Sequence, residues 1–205
     1  MLPTVRSKLE ARFFALPAEK NSLGDNSLSV SRVILPFPSY VPKRQSSKME
    51  FEVPLSPDDQ KFLRQCKAAS RESHDPHRQV GVVIVSQSGH LLATGTNKPP
   101  LAMNLRLQDS HKAITEDPAW KYFMLEHAER NAIVNARQLG HVLDHSTMYG
   151  TLFPCADCAR AIVAAGIARL VVPSPKNNSP RDVKWQAPYS YAVQIFKLAG
   201  VQIVY

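Results

Sequence analysis

Two short segments carry residues whose types and spacing suit metal chemistry: His127-Ala128-Glu129 and Pro154-Cys155-Ala156-Asp157-Cys158. Cys155 and Cys158 stand three positions apart at the start of a run of helix formers, so both sulfurs fall on one helix face. The open amides and the dipole of that helix end favour thiolates, the form that binds metal. Pro154 lies just before the helix, where a missing amide hydrogen costs little. Two thiolates and one imidazole make a three-ligand site with an open fourth position, as a catalytic zinc requires. Taken alone, His127 could be a polar surface or satisfied core residue, and the cysteine pair could be redox-active or inert. The two segments together point to Zn2+. His127 and Glu129 are two apart and would diverge inside a regular helix. The pair therefore predicts a helix start, with a break just before His127.

The elements that must position these residues begin near Ser56. Ser56 is a helix cap, Pro57 suits the first helical position, and Asp58 and Asp59 favour the positive end of the dipole. Phe62, Leu63 and Cys66 supply a buried stripe, with Cys66 a small core residue. Residues 79–85 and 90–96 predict a hairpin of two strands turned by Ser86-Gln87-Ser88-Gly89. The connection 97–118 shows no strand, and its length suggests a lid over a site. Helix formers fill 120–139 and Gly140 is a stop. Strands are predicted at 146–153, 167–172 and 201–205, and helices at 155–165 and 191–198. The order α-β-β-α-β-α-β-α-β predicts a mixed five-stranded sheet with helices on both faces, a three-layer α-β-α arrangement of the α/β class.

The chain has 205 residues, 44% hydrophobic and 20% charged, a composition of folded rather than disordered proteins. No apolar run approaches the roughly 20 residues that cross a bilayer, so no membrane partner is expected. Three cysteines are too few and odd in number for a disulfide scaffold, which points to a reducing compartment such as the cytoplasm. The net charge of +8 comes from Lys and Arg scattered along the chain, so a solvated surface is favoured over a nucleic-acid footprint. Residues 1–55 differ from the rest: Pro- and Ser-rich, basic, and expected to be poorly ordered. Leu2, Val5, Leu9, Phe13 and Leu16 recur there at helical spacing. An organelle-targeting helix is thus the alternative, against which Glu10 and Glu19 count. The domain proper is 56–205.

H-x-E followed by P-C-x-x-C is the signature of zinc nucleobase deaminases, in which a carboxylate that is not a ligand shuttles the protons. From about Ser56 to Tyr205 the chain resembles the cytidine and deoxycytidylate deaminase superfamily, most closely its deoxycytidylate branch. Arg78-Gln79-Val80-Gly81, Thr94-Gly95-Thr96-Asn97, the run from His127 to Ile133 and the run from Leu152 to Arg160 carry the resemblance. It implies a cytidine deaminase-like fold, zinc on His127, Cys155 and Cys158, Glu129 as the catalytic proton carrier, and a homo-oligomer. The expected reaction is hydrolytic deamination of a small-molecule cytosine nucleotide, dCMP to dUMP with release of ammonia. By the same resemblance Asn97 would contact the sugar and the backbone around Ala128 would read the pyrimidine carbonyl. Phe153 and Asp157 stand where the transfer-RNA adenosine deaminases usually carry Glu and Met. The chain departs from the branch after Asn97, where Lys98-Pro99-Pro100-Leu101 replaces the usual glycine-containing turn, so Arg78 or Lys98 is the candidate cation for a phosphate. Deamination of another free base, a nucleoside or a nucleic-acid base is the alternative, as is a non-catalytic zinc-stabilised scaffold or regulatory subunit.

Overall fold

The computed structural model describes residues 54–175 and 180–205. The predicted extension, apart from its last two residues, lies outside them, as does the helical pattern from Leu2 to Leu16. Helix α1 spans Pro57–Ala69 and opens as its sequence requires. Ser56 Oγ accepts from the Asp59 amide at 3.1 Å, and the Asp59 carboxylate accepts in turn from the Ser56 amide at 3.4 Å. This reciprocal cap satisfies two of the helix's open donors.

Five strands follow: β1 (Gly81–Val85), β2 (Leu91–Thr96), β3 (Thr147–Gly150), β4 (Arg169–Val171) and β5 (Gln202–Val204). They form one sheet in the order β2-β1-β3-β4-β5. β1 pairs antiparallel with both β2 and β3, while β3–β4 and β4–β5 are parallel. The sheet is mixed for a simple reason. A tight turn can join β1 to β2, whereas the parallel pairs each need a helical crossover.

Side-chain alternation divides the core into two layers. Val83, Val85, Tyr149 and Val171 face α1 and meet Phe62 and Cys66. Val82, Ile84, Met148 and Leu170 face the opposite way. There they meet α4 (Ala128–Gln138), α5 (Ala156–Ala164) and α6 (Pro180–Ala199). The three-layer arrangement predicted from the element order is thus present. Cys66 is wholly buried, and burial pushes its thiol up to about 12, which makes it a core residue and not a reactive one.

Two elements differ from expectation, and a third breaks where the His127–Glu129 pair requires it. The connection after β2 contains a 3-10 turn, Leu101–Met103, and a helix, α2 (Leu107–Glu116), that its mixed composition concealed. The helix formers over 120–139 make two helices, α3 (Lys121–Met124) and α4, separated by Leu125, Glu126 and His127, the break expected just before His127. The break has a tertiary cause. The Glu126 amide donates to the Lys98 carbonyl at 3.1 Å, a bridge in the manner of a strand. Asn131 Nδ2 adds bonds to the Thr96 and Lys98 carbonyls at 2.9 and 3.0 Å. Finally, α6 starts well before Tyr191 and continues through Pro188, which lacks the amide that would bond the preceding turn.

Candidate active site

The N-termini of α4 and α5 meet beneath one cleft. His127 is the N-cap of α4 in extended geometry (φ −71°, ψ 150°), and Cys155 is the N-cap of α5 (φ −75°, ψ 172°). Because both caps are extended, their side chains turn away from the helix axes and toward each other. His127 Nδ1 lies 3.5 Å from Cys155 Sγ and 3.3 Å from Cys158 Sγ. The three ligand atoms all fall within 4.8 Å of one another. Gly95 makes this approach possible. A Cβ there would collide with the Ala128 carbonyl oxygen and stand 2.5 Å from the Ala132 amide nitrogen, so only glycine lets α4 lie against β2 this closely.

The protonation pattern fits a metal-binding donor set. Hydrogen bonding from the Cys158 thiol, and then from His127, holds the Cys155 thiol down at about 4. His127 is pushed up to about 9, foremost by its hydrogen bond to Cys155. Cys158 is pushed up by its bond to Cys155 and by burial. Three groups so placed share protons that a divalent cation would displace, the behaviour of a thiolate–imidazole zinc site. Nothing in the cluster suggests a structural four-cysteine site, since among the described residues it offers three ligands and not four.

Glu129 occupies the second position of α4 and is only 6% exposed. Burial pushes its carboxyl above the usual range, opposed by the nearby His127 charge. A carboxylate costs several kcal/mol to bury without purpose. Here it lies beside the metal cluster without belonging to it, with the Cys158 sulfur as a hydrogen-bond neighbour.

The cleft above has a volume of about 620 Å³, ample for a nucleotide. Its lining includes His127, Ala128, Glu129 and Cys155 with the more distant Arg78 and Asn97, so the fold unites all of these sequence-predicted residues. Cys158 lies behind them, fully buried. Asn97 also holds the wall together. Its Oδ1 accepts from Ser73 Oγ at 2.7 Å and from the Val80 amide at 2.9 Å, and its Nδ2 donates to the Arg78 carbonyl at 2.9 Å. With both oxygen lone pairs used, only the second amide hydrogen is left for a sugar hydroxyl. Lys98 is not among the lining residues; its backbone is committed to Glu126 and Asn131.

Sequence reasoning missed much of the wall. The lid expected from the connection 97–118 does not line the cleft beyond Asn97; Lys121, Tyr122 and Leu125 do. From α6 come Lys184, Trp185 and Tyr189. Trp185 stacks on Tyr189 at 6.2 Å and its ring lies 6.5 Å from that of His127. Phe153, 2% exposed, packs edge-on against Tyr189 at 5.6 Å and so ties α6 to the cysteine helix. The cue available in sequence was the unexplained density of Lys, Trp and Tyr around Pro188.

The family model for the cytidine and deoxycytidylate deaminase zinc-binding region matches residues 56–174, more than half of the chain. The chain belongs to the cytidine and deoxycytidylate deaminase family. Among its relatives, this chain is 37% identical over 112 residues to a "Probable deoxycytidylate deaminase" of Caenorhabditis elegans, covering 54% of each chain, so it matches about half that relative's length. It is 31% identical over 140 residues to the deoxycytidylate deaminase of Mus musculus, covering 68% of this chain and 74% of the mouse protein. Among solved structures, the dCMP deaminase of cyanophage S-TIM5 in complex with dCMP and dUMP matches with a TM-score of 0.53 at 23% identity. That match covers 73% of this chain and 98% of the phage chain, and it shows that the two share a fold. The five-stranded mixed sheet and the paired helix N-termini are therefore the family's fold around the family's zinc-binding region.

Proposed function

We propose that the protein deaminates dCMP hydrolytically to dUMP, releasing ammonia, with zinc held by His127, Cys155 and Cys158. The observation that carries this reading is the buried Glu129 carboxyl set beside a three-ligand His/Cys/Cys cluster at the floor of an open cleft. The deoxycytidylate deaminases among its relatives supply the substrate.

Zinc, when bound, supplies the Lewis acidity that makes water an effective nucleophile near neutral pH. The protein's own residues do the rest. Glu129 takes one proton from the attacking water and passes it to the pyrimidine ring nitrogen; it then takes the second from the hydroxyl added to the ring carbon and gives it to the exocyclic amine, which leaves as ammonia. A carboxyl raised by burial is suited to both receiving and giving that proton. We assign the contact to the ring carbonyl to the Ala128 amide, which lies in the first turn of α4 and has no partner within the helix. Asn97 offers its remaining amide hydrogen to the sugar. Phe153 keeps the back of the site dry.

The cysteines of the site are free thiols, which suits a reducing compartment, and we assign the protein to the cytoplasm. No helix among the described residues is long and apolar enough to cross a membrane. We also propose self-association through an apolar surface beside the cleft, where Phe123 is 85% exposed next to the lining residue Tyr122.

The decisive experiment measures ammonia release from cytosine, cytidine, deoxycytidine, CMP, dCMP and dCTP, with zinc content determined on the same samples. Glu129→Gln should retain zinc and lose at least about a hundred-fold in kcat on dCMP, the scale of a lost general acid–base. Full activity in that variant would refute the assigned role.

A further inference from the structure

The cleft wall carries an ion pair that the metal cluster does not use. Lys121 Nζ donates to Asp75 Oδ2 at 2.8 Å, with both side chains largely buried, and both residues line the cleft. The other carboxylate oxygen, Asp75 Oδ1, accepts from the backbone amides of His77 and Arg78 at 2.9 and 3.2 Å. Asp75 thereby closes the turn that leads into β1. Burying two charges stabilises a fold no better than burying two apolar side chains of similar volume, and often less well. A buried pair drawn from distant parts of the chain therefore points to a role that depends on its geometry.

The contacts on either side of the pair close a ring around Asn97. On the Asp75 side, the Arg78 carbonyl accepts from Asn97 Nδ2 at 2.9 Å, and the Val80 amide donates to Asn97 Oδ1 at 2.9 Å. Ser73 Oγ donates to the same oxygen at 2.7 Å, and the His74 amide donates to the Asn97 backbone carbonyl at 3.0 Å. On the Lys121 side, α3 ends at Met124, and the Glu126 amide donates to the carbonyl of Lys98, the residue after Asn97, at 3.1 Å. His127 follows directly. Asp75 and Lys121 thus reach Asn97 through the backbone from both directions.

We propose that Asp75 and Lys121 are positioning residues: their ion pair fixes the 75–80 segment against α3, aims the remaining amide hydrogen of Asn97 at the substrate sugar, and keeps that contact in register with the His127 end of α4. The inference rests on the reading of Asn97 as the sugar contact. Asn97 has both oxygen lone pairs and one amide hydrogen committed, so its last hydrogen points in a single direction. That direction is set by where the Arg78 carbonyl and the Val80 amide stand, and Asp75 sets where they stand. Such aim matters, because a misplacement of about 1 Å can cost about a hundred-fold in rate.

Two measurements on the zinc-loaded full chain test this. The first is amide hydrogen exchange by NMR, which needs no turnover. Asp75→Asn and Lys121→Met should each lower the protection of the Val80 amide, which bonds Asn97 Oδ1, by at least about ten-fold. A loss confined to the His77 and Arg78 amides, which Asp75 holds directly, would show a local cap and overturn the inference. The second compares deamination of dCMP with that of its 2′,3′-dideoxy analogue, which lacks the sugar hydroxyl. Wild type should favour dCMP by about ten-fold in kcat/KM, Asn97→Ala should lose that preference, and Asp75→Asn and Lys121→Met should lose most of it. Lys121→Arg, which keeps the charge, should recover it, and Glu116→Gln, exposed at the end of α2, should match wild type. A merely structural weakening would slow both substrates alike and keep the ratio. A preference kept in full by the pair variants overturns the inference, and if Asp75→Asn does not fold, Lys121→Met decides both measurements. A wild type indifferent to the hydroxyl would instead sink the reading of Asn97 as the sugar contact, while the exchange result still decides whether the pair positions it.

Discussion

Replacing Gly95 by alanine tests whether the geometry of α4 sets the chemistry. The added Cβ would lie 2.5 Å from the Ala132 nitrogen and still closer to the Ala128 carbonyl oxygen, both backbone atoms that cannot rotate away. Ordinary contact begins near 3.4 Å, so α4 must retreat from β2 by at least about 0.9 Å. Overpacking of this kind costs about 1–3 kcal/mol of stability. The greater effect falls on function, because His127 and Glu129 ride on the N-terminus of α4 while the cysteines ride on α5. Metal–ligand distances tolerate only about 0.2 Å, and a misplacement of about 1 Å can cost a hundred-fold in rate. Gly95→Ala is therefore expected to lower zinc affinity by at least about ten-fold and kcat by about a hundred-fold at temperatures where the variant remains folded. The assay pairs competition with a zinc chelator, steady-state ammonia release, and circular dichroism to establish folding. Gly150→Ala is the control: its Cβ meets nothing nearer than a Val172 methyl at 3.2 Å, and it should cost less than about 1 kcal/mol. Wild-type zinc affinity and kcat in a folded Gly95→Ala would refute the claim that close helix–strand contact positions the site.

Two further outcomes follow from the frame around the site. Asp59 receives both Arg169 nitrogens, at 2.8 and 3.0 Å, and the Tyr149 hydroxyl at 2.9 Å, pinning α1 to β3 and β4. The Arg169 hydrogen bonds hold its carboxyl at about 2 against an ordinary 3.8, so its stabilisation is complete above pH 3.8 and is lost as pH falls through about 2. The shift corresponds to about 2 kcal/mol. Asp59→Asn should lower urea stability by about that amount at pH 7, with the difference from wild type shrinking toward pH 2; a constant difference across that window would contradict the linkage. For self-association, Phe123→Asp should reduce the particle mass by light scattering while zinc content stays unchanged, whereas an unaltered mass would exclude that surface.

The metal ligands and Glu129 were legible in the sequence because their geometry is local. Each ligand segment is a helix N-terminus, and a cap plus one turn is determined by neighbours three residues apart. The same locality made the Ser56 cap, the β1–β2 hairpin and the sheet class readable from pattern alone. It also exposed the conflict between His127 and Glu129 in a continuous helix. What broke that helix was not local: the amide of Glu126 found the carbonyl of Lys98, a partner far earlier in the chain. Long-range contact likewise decided the cleft wall. Lys98, an attractive cation in sequence, fell outside it, while Lys184 and Trp185 entered from a helix whose first half carried no clear periodicity. Asn97 proved to be a brace as well as a candidate contact, since its bonds run to Ser73, Arg78 and Val80 on a neighbouring segment. Sequence by itself thus determined which atoms can hold a metal and carry a proton. The tertiary structure alone decided which charges surround them, because charge pairing in a cleft depends on neighbours that only the packing of α6 and the 75–80 segment brings together.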